Sequence, residues 1–335
     1  MRPVTYLLAD DVEGAVRTVT ADPDTHFLAG GTTEVDLLRQ NVLTPHRLVD
    51  INRLPLTGIE ALPDGGVRIG ALARMSEVAE DRGVRERFPM ISRALELGAS
   101  AQLRHMASMG GNMMQKVRCG YYRDGESPCN KRLPGSGCAA LTGVSRTHAV
   151  LGTSEHCIAT HPSDVAVPLV ALDARIHTRI HTRTGDGERD HAIGDFFLEP
   201  GDTPDREHPL AHGELITAIE VPGLPIARRS LYLKVRDRES YEFALVSVAA
   251  AVDMVDGVIG DVRLALGGVG TRPWRAIRAE EFLIGAPAIP ENFEQAARIE
   301  LSDARTTAMN AFKPELARRT LVRALETLTR DGSQR

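Results

Sequence analysis

Leu28-Ala29-Gly30-Gly31-Thr32-Thr33-Glu34 is the stretch on which the fold of this chain turns. The apolar run His26-Phe27-Leu28-Ala29 reads as a short buried strand, and residues 34–40 read as a helix. The glycine pair therefore sits at a strand-to-helix turn. Glycine lets the backbone approach an anion closely and adopt positive φ. The opening turn of a helix adds unpaired N–H groups that suit a phosphate, and Thr32 and Thr33 add hydroxyls. The pattern is neither G-x-G-x-x-G nor a Walker loop. Taken alone, a Gly-Gly turn before a capped helix is more often structural.

The surroundings alternate between helix and strand. Residues 11–20 predict a helix with acidic residues in its first turn, and residues 47–51 and 66–70 predict strands. Residues 76–80 and 90–102 predict helices, the second with Ile91, Ala94, Leu95 and Gly98 on one face. Strands are expected at 174–182, 216–221, 230–235 and 245–255. Asp256-Gly257 is a hairpin turn leading into 258–267. Helices are expected at 292–301 and 314–328. Pro222 to Arg229 is the best linker candidate, so the chain divides into residues 1–222 and 223–335. The fold class is α+β.

A second glycine pair lies in Ala107-Ser108-Met109-Gly110-Gly111-Asn112, and Ser163-Asp164 follows further on. Two such loops could clamp the phosphates of a dinucleotide from opposite sides, or they could be two ordinary turns. Ser163 and Asp164 could cap a helix or face a ligand. Lys234 and Arg236 open a charged run that ends in Tyr241 and Phe243, which could present a cation and an aromatic ring.

All four cysteines fall between Cys119 and Cys157, spaced C-x9-C-x8-C-x18-C with Cys129 and Cys138 between. Four thiolates close one tetrahedral zinc site or ligate one [4Fe–4S] cluster. The spacing fits neither common zinc pattern and leaves both metals open. Histidines near the cysteines (His105, His148, His156, His161) read as loop residues, with a ligand role open. The net charge of −5, with no basic stripe interleaved with aromatics, gives no reason to expect nucleic acid. No apolar run is long enough for a membrane span. The N-terminus has no apolar signal core, so assembly in the cytoplasm is expected, with export on a partner's signal left open.

Taken in order, Ala29-Gly30-Gly31-Thr32, Ala107-Ser108-x-Gly110-Gly111-Asn112, Ser163-Asp164, Glu220-Val221-Pro222, Lys234 with Arg236, and Gly267-Gly268-Val269 with Arg272-Pro273-Trp274-Arg275 resemble the FAD-binding medium subunits of the molybdenum hydroxylases. Most of that family pass almost directly from Gly-Gly-Asn to Ser-Asp. Here residues of about 115–160 intervene and carry every cysteine. That segment resembles the [4Fe–4S] insertion in the flavin subunit of periplasmic aldehyde oxidoreductases, which favours iron–sulfur over zinc.

The resemblance implies a two-part FAD-binding domain of the vanillyl-alcohol-oxidase/PCMH type, with subdomains of about 1–55 and 56–222. A C-terminal domain of antiparallel sheet and helices follows. It implies that Leu28, Ala29, Gly30, Gly31, Thr32, Thr33 and Glu34 hold the FAD pyrophosphate. Ser108, Gly111, Asn112, Ser163 and Asp164 would contact phosphates and ribitol, and Ile216 and Lys234 would lie near the flavin ring. Phe88 would touch the adenine side and Tyr241 would lie near the isoalloxazine. Cys119, Cys129, Cys138 and Cys157 would ligate the cluster. The molybdenum cofactor and two [2Fe–2S] clusters would reside on a large and a small partner subunit, and electrons would leave to an external acceptor. The resemblance implies aldehyde oxidation by the complex; a flavin subunit of a related hydroxylase or reductase (xanthine, CO or aromatic acyl-CoA), a stand-alone flavoenzyme and a zinc-stapled scaffold are the other readings.

Overall fold

The computed structural model describes residues 1–330, arranged as three sheets with helices packed between and outside them. The last five residues of the expected C-terminal segment, 331–335, lie outside the described residues.

The first sheet is parallel, with Thr5–Leu8, Arg47–Asp50 and Thr25–Leu28 in that spatial order. Parallel neighbours need a crossover, and the helix Val12–Thr20 supplies one. The Asp11 carboxylate accepts from the Gly14 N–H at 2.6 Å and starts that helix, and Ala15, Val16 and Val19 form its buried stripe. These side chains share a core with Val49, Ile51, Leu72 and Leu215. Leu72 and Leu215 belong to the next unit, so the first sheet is anchored to the second through apolar burial.

The second sheet is antiparallel, in the order Ile59–Ala61, Val67–Gly70, Leu215–Val221, Arg175–Thr182, Gly185–Ala192. The helices Met75–Glu80, Pro89–Leu97 and Ala166–Ala171 contribute Val78, Ile91, Leu95 and Leu169 to its core. The helix expected over 90–102 is two helices, Pro89–Leu97 and Ala101–Met106. Gly98 closes the first, Ala99 has φ 50°, and the Ser100 hydroxyl accepts from the Leu103 N–H at 3.3 Å to open the second. Apolar periodicity ran on through a break that capping chemistry decides.

The third sheet has the order Trp274–Arg275, Val258–Gly267, Val246–Val255, Ser230–Val235. Its hairpin turns at Asp256 and Gly257, with φ 52° and 78°, the paired positive φ of a type I′ turn. The central strand is buried on both faces. Val246, Val248, Ala250 and Val252 pack under the C-terminal helices, whereas Ala249 and Ala251 pack into the core of the second sheet. Period-two alternation thus sends one face of a single strand to each core, and small alanines on one side let the two layers approach. Each fully buried valine contributes ~1.5–3 kcal/mol, so this strand ties the layers firmly. Pro222 to Arg229, expected as a linker, is a packed 3-10 turn over Pro225–Arg228, with Ile226 and Ala227 buried.

Candidate functional site

A cleft of about 890 Å³ opens where these layers meet. Both glycine loops line it. Gly31 has φ 69°, a conformation that favours glycine. Gly30 faces the backbone of the second loop's approach. A Cβ placed there would lie 2.0 Å from the Met106 carbonyl oxygen and 3.0 Å from the Ala107 Cα. The two loops are therefore packed backbone to backbone.

A hydrogen-bond network fastens this contact. The Asn52 amide donates to the Ala29 carbonyl at 2.9 Å. The Arg74 guanidinium donates to the Met106 carbonyl at 2.7 Å and to Asn52 Oδ1 at 2.9 Å. Neither Asn52 nor Arg74 belongs to a motif, and nothing in the sequence marks them.

Of the residues singled out above, Ala29, Gly30, Gly31, Thr32, Thr33, Glu34, Ser108, Gly111, Asn112, Asp164 and Ile216 line the cleft. Leu28, Ser163 and Lys234 stand behind the lining. Leu28 ends its strand beside Asp50. The Ser163 hydroxyl donates to Asn112 Oδ1 at 2.5 Å and accepts from the Ala166 N–H at 3.1 Å, so it orients Asn112 while opening the next helix. The Lys234 ammonium donates to Asp164 Oδ2 at 2.8 Å and to the Leu97 carbonyl at 3.1 Å. The Tyr232 hydroxyl donates to Asp164 Oδ1 at 2.7 Å. Burial pushes the Asp164 carboxyl up, against the pull of Lys234 and Tyr232.

The second glycine pair is a short helix, Met109–Met113, and not an open turn. The buried Ser108 hydroxyl caps it by accepting from the Gly111 N–H at 3.2 Å. Phe88, expected beside a ligand, is 1 % exposed within the core of the second sheet and does not line the cleft. Tyr241, at φ 52°, and Phe243 reach the cleft from the C-terminal layer. The Arg118 guanidinium lies 5.1 Å from the Phe243 ring centroid and donates to the Thr33 hydroxyl at 3.2 Å. Lys116, His208 and Glu214 also line the cleft and carry no sequence signal.

The four cysteines, far apart in sequence, line one small cavity with Tyr122 and Lys131. All are free thiols. Cys129 and Cys138 are bridged as antiparallel neighbours, and the Asn130 side chain accepts from the Gly137 N–H at 2.8 Å to hold that turn. Burial pushes the Cys119 thiol up to about 11, and Cys157 is also raised by burial despite Lys131. A bound cation would favour the thiolate form of both. The His148 ring Nε2 lies 3.2 Å from Cys119 Sγ. Among the described residues, no group of three or more His, Cys, Asp or Glu is gathered as a single metal ion would need.

The cysteine segment is not a hanging loop. Lys313, 0 % exposed, donates to the carbonyls of Thr147, His148 and Gly268 at 3.0, 2.9 and 2.6 Å. Asn310 reaches the carbonyls of His148 and Ala149 at 3.4 and 3.3 Å. On its other side, Lys131 and Lys116 share the Glu207 carboxylate at 3.2 and 2.5 Å. Burial opposes the charge of Glu207, but the two ammonium groups outweigh it and hold this carboxyl down to about 2.

Residues 2–224 match the family described as the FAD binding domain in molybdopterin dehydrogenase, and residues 231–328 match the CO dehydrogenase flavoprotein C-terminal domain. The chain belongs to the family of FAD-binding medium subunits of the molybdenum hydroxylases, which are oxidoreductase components. It is 45 % identical to the aldehyde oxidoreductase FAD-binding subunit PaoB of Escherichia coli (strain K12), over 97 % of this chain and 98 % of that one. It is 29 % identical to the glyceraldehyde dehydrogenase medium chain of Sulfolobus acidocaldarius, over 84 % of this chain and 80 % of that one. Its fold is that of a chain in the CO dehydrogenase of Oligotropha carboxidovorans, with a TM-score of 0.75, 20 % identity, and coverage of 98 % and 99 %. Among the described residues, no helix is long and apolar enough to cross a membrane.

Proposed function

We propose that this chain is the FAD- and [4Fe–4S]-carrying electron-transfer subunit of a molybdenum-dependent aldehyde oxidoreductase, working with a large molybdopterin subunit and a small subunit bearing two [2Fe–2S] clusters. The observation that carries the proposal is the convergence of both glycine loops on one cleft. The near-full-length similarity to an aldehyde oxidoreductase subunit supports the substrate class.

FAD supplies the redox chemistry of the cleft when bound; the protein binds and orients it. The Gly30-Gly31-Thr32-Thr33 turn and the Ser108-capped helix with Gly111 and Asn112 would hold the pyrophosphate and ribitol. Asp164, fixed by Lys234 and Tyr232, would fix a hydroxyl, with Ile216 against the flavin ring. Lys234 then acts as a positioning residue for Asp164. The domain division proposed is 1–222 and 223–335, with the insertion of about 115–160 in the first part.

The donor set of the cysteine cavity fits a [4Fe–4S] cluster. A cluster binds each thiolate to a different iron, and all four cysteines line this one cavity. Zinc remains the competing occupant. The test is an optical spectrum of the purified complex with flavin and metal analysis. Flavin bands over a broad iron–sulfur shoulder are expected, with iron in excess of the about four atoms of the partner's two [2Fe–2S] clusters; no such excess, or zinc in its place, would overturn the cluster assignment.

A further inference from the structure

Between the cleft and the cysteine cavity lies a third cavity, far smaller than the cleft. It shares Met114 and His208 with the cleft, and Lys131 and Cys157 with the cysteine cavity. Glu207 lines it. Lys116, which lines the cleft, donates to Glu207 Oε2 at 2.5 Å. Lys131, which lines the cysteine cavity, lies 3.2 Å from Glu207 Oε1 and donates to the Pro204 carbonyl at 2.6 Å. The three side chains are largely buried, at 29, 10 and 17 % exposure for Lys116, Lys131 and Glu207.

We propose that Lys116, Glu207 and Lys131 form a charged bridge that couples the redox potential of the cleft's cofactor to that of the cysteine site. The inference rests on the proposed function, since it needs both occupants. Two ammonium groups and one carboxylate leave one net positive charge. One end of the bridge lines the cleft, and the other lines the cavity of the four cysteines. Away from bulk water such a charge is weakly screened. It therefore favours the reduced, more negative state at both ends. Because both lysines share one carboxylate, a change at Glu207 reaches both centres, whereas an ordinary ion pair would reach one.

The test uses the assembled complex and the variants Glu207→Gln, Lys131→Gln and Lys131→Arg. Iron and flavin contents are measured first. A potentiometric titration then follows flavin absorbance and the paramagnetic signal of the cluster. Glu207→Gln leaves both lysines charged, so both midpoint potentials shift upward. Lys131→Gln shifts both downward, the cluster more, and Lys131→Arg stays near wild type. Full cofactor content with no shift, or with a shift at one centre only, overturns the bridge. If Glu207→Gln does not assemble, the two Lys131 variants decide by the same criteria. Wild-type complex whose iron does not exceed the about four atoms of the partner's two [2Fe–2S] clusters overturns the cluster assignment itself, which is distinct from a loaded complex whose potentials do not move.

Discussion

The cleft and the cysteine cavity are built in opposite ways. The cleft is shaped by backbone packing that needs no occupant. Gly30 rests on the Met106 carbonyl, Asn52 and Arg74 lock the two loops, and cores on either side hold the walls. The cysteine segment has a small apolar cluster of its own, and its Val150 and Leu151 join the core under the C-terminal helices. Its small cluster consists of Val117, Tyr122, Cys129, Cys157 and Ala159, and it borrows Leu37 from a neighbouring helix. Its order depends on polar clamps, Lys313 and Asn310 on one side and Lys131 on the other. Ordering backbone costs ~1–2 kcal/mol per residue, so on the proposed function a metal would add to the order of this loop-rich segment. The cleft is a site shaped before its ligand, whereas the cysteine segment would be completed by one.

The largest effect separates the two regions outright. Cys129→Ser removes one thiolate of four, and about four iron atoms per complex, those of one [4Fe–4S] cluster, are expected to be lost with the complex weakened. Full iron retention, measured by metal analysis, would break the comparison. The converse is Gly30→Ala. Its methyl would meet backbone at 2.0 Å, so the two loops must separate. Flavin content is expected to drop at least about tenfold, equivalent to ~1.4 kcal/mol, while iron is kept. Equal loss of both cofactors would show that the two sites are one folding unit.

Lys313→Met has a smaller effect. It strips the donors from the carbonyls of Thr147, His148 and Gly268 in a buried setting. Such a loss costs roughly 2–4 kcal/mol, read as a lower denaturant midpoint. Iron should be lost before flavin during unfolding.

The smallest effect concerns pH. Glu207 is held at about 2 against an ordinary 4.5. Its carboxylate stabilises the folded state fully above the unfolded value, and that contribution fades as pH falls from 4.5 toward 2. Glu207→Gln should therefore flatten the acid branch of the stability curve over that window and leave the neutral region's slope unchanged. An unaltered acid branch would contradict the lysine pairing.

Much of the fold was legible because it rests on local rules. The helix near residues 11–20, the Asp256-Gly257 turn, and the strand before it are written in neighbouring residues. The Gly98–Ser100 break was missed because an apolar face continues across it while the caps stop the helix. Ser108 stood out with the second glycine pair and lines the cleft, but its role as the cap of a helix containing both glycines was not legible. Phe88 went astray because an isolated aromatic carries no information about its partners, and burial claimed it. Lys116, Glu207 and Arg74 were invisible for a different reason. Their meaning lies in long-range pairing, such as Lys116 with Glu207 and Arg74 with Met106, which no local pattern encodes.

The central claim is that one chain holds FAD in a preformed cleft and an iron–sulfur cluster among four clustered thiols. The most direct test is quantitative iron, zinc and flavin analysis of the purified complex, with iron on this chain told apart from the partner's by comparing wild type with Cys129→Ser. The account predicts one FAD per chain and a loss of about four iron atoms in the variant, the content of one [4Fe–4S] cluster. Unchanged iron, or zinc in place of it, would contradict the account.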